Sequence, residues 1–157
     1  MAIRSWFELR GLPVMIPSEG RRVGTVEDFY YKLETNSVYA LRVKVGILGY
    51  CALTANAISS IARDAITIAS DTMLIDESND GQLSQLPRSG SLLSSKVKSE
   101  SGRELGTVSD ILLDTFPPVA LRIVAFRLGG GKTISAGEVT DYNGSEILIL
   151  DKAAKRL

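Results

Sequence analysis

The chain has no histidine and a single cysteine, and its 18 Lys and Arg are cancelled by 18 Asp and Glu. Each of these shortages excludes something. Without histidine, the commonest general base and the commonest metal ligand are missing. Cys51 cannot form an internal disulfide, and its position between Tyr50 and Ala52 predicts a buried thiol in a reducing compartment. A net charge of zero removes the field that draws a chain to a nucleic-acid backbone. There is no Cys or His cluster for a transition metal. The acidic run Asp76, Glu77 and Asp80 reads as a solvated linker and not as a hard-cation site. No cofactor and no metal is expected. The first residues lack the apolar core of a secretory signal, which predicts a cytoplasmic protein. Residues 45–62 are uncharged and approach the length of a membrane span, but Gly46, Gly49, Asn56 and Ser59 interrupt them.

What the sequence does contain is a repeat. Gly20-Arg21-Arg22-Val23-Gly24-Thr25-Val26-Glu27-Asp28 returns as Gly102-Arg103-Glu104-Leu105-Gly106-Thr107-Val108-Ser109-Asp110. Ala40-Leu41-Arg42-Val43 returns as Ala120-Leu121-Arg122-Ile123, and the stretch from Leu53 to Ile68 returns as that from Ile134 to Ile149. The offset holds near ~80 residues, so a unit has been duplicated. The repeat also argues against a membrane span. The second copy of the uncharged stretch carries Arg127, Lys132, Glu138 and Asp141.

Each copy reads as short β-branched and aliphatic strands separated by turn residues. Strands are expected at 13–16, 23–33, 39–48, 50–54 and 65–69, and again at 94–98, 105–113, 120–128, 132–136 and 146–150. A helical turn is expected before each last strand, at 57–61 and 138–142. The predicted fold class is all-β: two tandem small SH3-like barrels at 1–70 and 92–151, an acidic turn-rich linker at 71–91 that is flexible or wrapping, and a basic tail at 152–157 that reads as a frayed helical turn. Gly24 and Gly106 should mark sharp bends or close backbone approaches. Asp28 and Asp110 should anchor turns by accepting backbone N–H bonds.

Gly-Arg-x-x-Gly-Thr-Val-x-Asp, an aliphatic run, Ala-Leu-Arg-Val and a closing Ile-x-Ile strand resemble the PRC-barrel domain, over residues of about 8–69 and 92–151. That family includes the cytoplasmic domain of the photosynthetic reaction-centre H subunit and the C-terminal domain of a ribosome-maturation factor. The resemblance implies a small SH3-like barrel that serves as a docking module without chemistry of its own. The sequence shows neither the membrane helix of the first relative nor the N-terminal domain of the second, so neither specific function carries over.

Motifs for chemistry do not hold up. Gly129-Gly130-Gly131-Lys132-Thr133 has Phe126 where a phosphate loop needs its first glycine, and a strand follows instead of a helix. Serines have no histidine to activate them. What remains is apolar surface. On the third strand of copy one, Leu41, Val43, Val45 and Ile47 should face inward, while in copy two the outward set is Arg122, Val124 and Phe126. Val124 and Phe126 should be buried against copy one, a second chain or a client protein, and with the tip residues Ile47, Leu48 and Tyr50 they are the candidate protein-binding residues. The predicted function is a non-enzymatic tandem adaptor that docks on a protein partner or a second copy, in assembly or regulation of a larger photosynthetic or ribosomal complex. The alternative is an RNA- or ribosome-associated maturation factor. Nucleic acid is expected only by way of a ribonucleoprotein, and peripheral membrane association stays open.

Overall fold

Period-2 patterning becomes strands almost wherever it occurs. The computed structural model describes residues 1–47 and 49–157. The first half contains β1 (Ile3–Ser5), β2 (Pro13–Ile16), β3 (Arg21–Lys32), β4 (Ser37–Val45), β5 (Gly49–Thr54), β6 (Ser60–Ile61), β7 (Ile66–Thr67) and β8 (Ile75–Asp76). The second contains β9 (Lys96–Ser99), β10 (Glu104–Asp114), β11 (Arg122–Leu128), β12 (Thr133–Ser135), β13 (Val139–Asn143) and β14 (Glu146–Ile149). The α-helices among the described residues, α1 (Trp6–Leu9) and α2 (Asp151–Ala154), have four residues each.

Both halves use one pairing scheme. β2, β3, β4 and β5 run antiparallel in order, β7 lies parallel to β2, and β6 lies on β7. β9, β10, β11 and β12 repeat this, with β14 parallel to β9 and β13 on β14. Even the irregularities recur. The ladder slips at Glu27 and at Ser109, and again at Tyr39 and at Val124. Such bulges re-aim the side chains that follow them.

The two separate barrels expected from the repeat are not what the hydrogen bonds describe. The strands form one mixed sheet, continuous through the pairing of Ser37 on β4 with Arg122 on β11. Val38 N–H donates to Leu121 C=O at 2.9 Å, and Ile123 N–H donates to Asn36 C=O at 2.8 Å. One apolar core runs through both halves, from Trp6, Phe29 and Leu41 to Ile111, Phe126 and Ile147.

The halves also exchange their leading segments. β1 pairs with β10 of the other half, and the Phe7 amide donates to Asp110 Oδ1 at 3.4 Å. Reciprocally, Arg88 bridges to Tyr30 on β3, and the Ser89 amide donates to Asp28 Oδ1 at 3.2 Å. The offset that carries Gly24 to Gly106 carries Phe7 to Ser89. Each aspartate also accepts the amide of its own successor, Phe29 or Ile111, at 2.8 Å. The anchoring role expected of Asp28 and Asp110 is thus seen, with the anchored backbone belonging to the opposite half.

The paired glycines have different reasons. A Cβ on Gly24 would lie 2.5 Å from Val43 Cγ1 and 2.8 Å from Lys44 O, so close approach forbids it. Gly106 has room but a φ of +140°, which other residues rarely adopt.

The bounds of the short helical turns are corrected. The short helical turns fall at Ala55–Ala57 and Ala136–Glu138, and the residues expected to be helical instead enter β6 and β13. The 71–91 linker takes the wrapping form of the two expected: it forms successive 3-10 turns and β8, which pairs with β5. The tail forms α2, burying Ala153 and Ala154 in the core, with Asp151 accepting from Ser101 N at 3.1 Å. Of the stretch weighed as a membrane span, Val45 ends β4, Gly49–Thr54 is β5 and Ser60–Ile61 is β6, and among the described residues no helix is long and apolar enough to cross a membrane.

Candidate interaction surface

The bulge at Val124 decides the fate of β11. Leu112 faces Ala125 and Leu113 faces Ile123, so Val124 is the extra residue and the alternation changes phase. Phe126 therefore turns inward. It is 0 % exposed, and its ring stands edge-on to Tyr142 with centroids 6.4 Å apart. The outward placement read from simple alternation is overturned; the burial expected of Phe126 is met inside the chain's own core. Val124 is half-buried beside a cavity shared with Asn36 and Arg122.

On β4, Leu41 and Val43 are buried as expected, but Ile47 is 89 % exposed at the turn into β5. Tyr50 is half-buried under the Arg42 guanidinium, 3.7 Å from its ring centroid. Leu48 lies outside the described residues. Ile47 and Tyr50 are close in sequence, yet Ile47 faces solvent while the Tyr50 ring is engaged by Arg42.

Sequence reasoning missed an exposed apolar feature between strands. The segment joining β10 to β11, residues 115–121, is longer than its counterpart 33–36 and carries Phe116 and Val119, each 65 % exposed. The N-terminus pins the base of this loop. Ala2 N–H donates to Asp114 Oδ1 at 3.0 Å, and Thr115 N–H donates to Ala2 C=O at 2.8 Å. Val119 forms the lip of a cavity of about 420 Å³ at the seam between the halves, which Lys32, Tyr39, Thr54 and Asn56 also line. Lys32 Nζ sits 5.1 Å from the Tyr39 ring centroid, and Tyr39 O–H donates to Asp80 Oδ2 at 2.6 Å. The prolines between Phe116 and Val119 read as strand breakers; the signal lay in a turn that carries two exposed apolar side chains where its counterpart, Leu33-Glu34-Thr35-Asn36, carries one.

The 71–91 segment closes over the outer face of the first half. Ile75, Leu83 and Leu86 pack on Tyr30, Ala40 and Ala52. Glu77 Oε1 accepts from Tyr30 O–H and from Arg42 Nε, both at 2.6 Å. Burial opposes ionisation of Glu77, but the hydrogen bonds from Arg42 and Tyr30 and the charges of Arg42 and Arg88 outweigh it and hold the carboxyl below its ordinary value. Burial, then the bond to Glu77 and its charge, push Tyr30 up to about 12. Cys51, half-buried against Asp76, has its thiol pushed up by burial and by the Asp76 and Glu77 charges.

The signs give a pH window. A depressed carboxyl stabilises the fold above its unfolded pKa, and that contribution is lost as pH falls through the folded value. A raised phenol stabilises below its unfolded pKa of about 10 and loses the contribution as pH rises toward the folded value. The strap should therefore loosen at both ends. Near-UV circular dichroism that stays constant below about pH 4 and above about pH 10 would contradict this.

Among the described residues, no group of three or more Cys, Asp or Glu could hold a metal ion. Comparison with curated proteins finds no match. The PRC-barrel domain profile matches residues 1–82, and a second copy is not detected. That match takes in β1 through β8, with the paired β2–β5 unit and most of the strap, and it covers more than half of the sequence: the chain belongs to the PRC-barrel domain family.

Proposed function

We propose that this chain is a non-enzymatic adaptor built from two PRC-type barrels in tandem, which docks on a protein partner during assembly or regulation of a larger complex in the cytoplasm. The repeated pairing scheme supports the second unit. The absence of histidine supports a binding role over catalysis. The observation that carries the reading is the anchored 115–121 loop, which presents Phe116 and Val119 to solvent beside the seam cavity. Apolar side chains on a pinned loop lose little entropy on docking.

The test is capture of partners by the tagged chain from its native cell, compared with Phe116→Ser/Val119→Ser and with Ile47→Ser. All three residues are exposed, so the variants should keep wild-type stability to within about 0.5 kcal/mol. Loss of a specific partner from the loop variant at unchanged melting temperature is the expected result. Equal retention by every variant would remove these residues from the interface. Retention of ribosomal particles that falls steeply with salt would instead favour the ribonucleoprotein alternative.

A further inference from the structure

The two halves are not covered alike. In the first half, β8 pairs along the outer edge of β5, Cys51 with Asp76 and Ala52 with Ile75. Two residues after Ile75, Glu77 reaches Arg42. Register identifies the counterparts in the second half. Arg42 lies opposite Asp28 and Ala52, and Arg127 lies opposite Asp110 and Thr133. So β12 stands for β5, Thr133 for Ala52 and Arg127 for Arg42, which corrects the match of Ala40–Val43 to Ala120–Ile123 read from the sequence. Among the described residues, β12 pairs with β11 alone, and no strand covers its other side.

The uncovered edge differs from its covered twin in the expected ways. Thr133 and Ser135 are exposed, whereas Ala52 is buried. Leu112 and Ala125, in the places of Tyr30 and Ala40, are only half-buried. Arg127 and Lys132 are both exposed at this edge. The acidic group facing Arg127 is Asp110, buried and 3.7 Å away, which also serves the Phe7 and Ile111 amides. Arg127 thus has room for a second carboxylate on its exposed side.

We infer that the outer edge of β12 is a docking site for an extended acidic peptide of a partner protein, taken in the register that β8 shows on β5. The peptide adds a strand by main-chain bonds to β12, lays an aliphatic side chain over Leu112 and Ala125, and two residues on sets a carboxylate against Arg127, with Lys132 adding charge. Added strands gain affinity from the backbone and selectivity from alternate side chains. A bare edge is otherwise a liability that folds tend to cover. This names the partner's chemistry for the adaptor reading, on which it rests.

The probe is a labelled synthetic peptide with the sequence of residues 70–86, titrated into the intact chain, whose own strap keeps β5 occupied. Saturable binding is expected, with amide shift changes centred on Arg127, Thr133 and Ser135. Affinity should fall about tenfold or more with Arg127→Gln, with Thr133→Pro, and with a peptide carrying Glu77→Lys. Arg127→Gln is a surface change and tests the idea even where Thr133→Pro disturbs the fold. Absence of binding at about 1 mM, or shift changes confined to β3, β4 and β5 through strap exchange, overturns the proposal. If cellular partners are lost with Phe116→Ser/Val119→Ser but kept with Arg127→Gln, the adaptor reading stands and this site falls.

Discussion

Expressed alone, residues 1–82 should give no cooperative unfolding transition, although they are the segment that the family profile matches. The cut removes β10, on which β1 is paired, and Ser89, whose amide Asp28 holds. It removes Pro87, whose carbonyl accepts from Tyr31 N–H at 3.1 Å, and β11, which continues the sheet beyond β4. The core is shared, so the fragment exposes apolar surface that a unit of some 60–80 residues cannot spare. Mixing it with residues 83–157 should restore near-UV circular dichroism and a single urea transition. A sharp transition for 1–82 by itself would show that the exchanged segments contribute little.

Replacing Phe126 with alanine should lower stability by about 3–5 kcal/mol, the range for an aromatic removed from a packed core. The ring is fully buried among both halves' apolar residues, and the hole is bounded by strands that cannot close on it. Urea denaturation measures the loss, and partner capture at a temperature where the variant is folded should be unchanged. Phe116→Ala provides the contrast, with stability kept to within about 0.5 kcal/mol and capture reduced. If Phe126→Ala left the urea midpoint in place, the phase of β11 described above would be wrong.

The strands were legible because their cause is local: alternation and turn residues set them, and the repeat let one copy check the other. The inside and outside of β11 were not legible. A single extra residue at Val124 inverts the faces beyond it, and nothing in Arg122 to Leu128 announces a bulge. The same slip recurs at Tyr39 in the other copy, so only the pairing with β3 and β10 reveals it. Asp28 and Asp110 could be read as anchors from their place in apolar runs, but what they anchor lies 61 and 103 residues away. The 71–91 segment looked like solvated linker because Asp76, Glu77 and Asp80 are acidic. Its burial depends on Tyr30, Tyr39 and Arg42 presenting hydroxyls and a guanidinium at matching points, a tertiary fact. The exposed Phe116 and Val119 were hidden by Pro117 and Pro118, which end a strand wherever they fall.

The reciprocal hold of Asp28 on Ser89 and of Asp110 on Phe7 has a consequence for symmetry. It is the arrangement of a homodimer whose subunits lend each other their leading segments, here closed within one polypeptide. Tethering makes the association independent of protein concentration. It also lifts a restriction. A true two-fold dimer must show every patch twice, so a change that improves one contact is imposed on its mate. In the fused form the mates are free to diverge, and they have: Glu34-Thr35-Asn36 against Phe116-Pro117-Pro118-Val119, a β5 edge that is sealed against a β12 edge that is bare. The chain therefore presents two different surfaces where a symmetric dimer of like halves would present one surface twice.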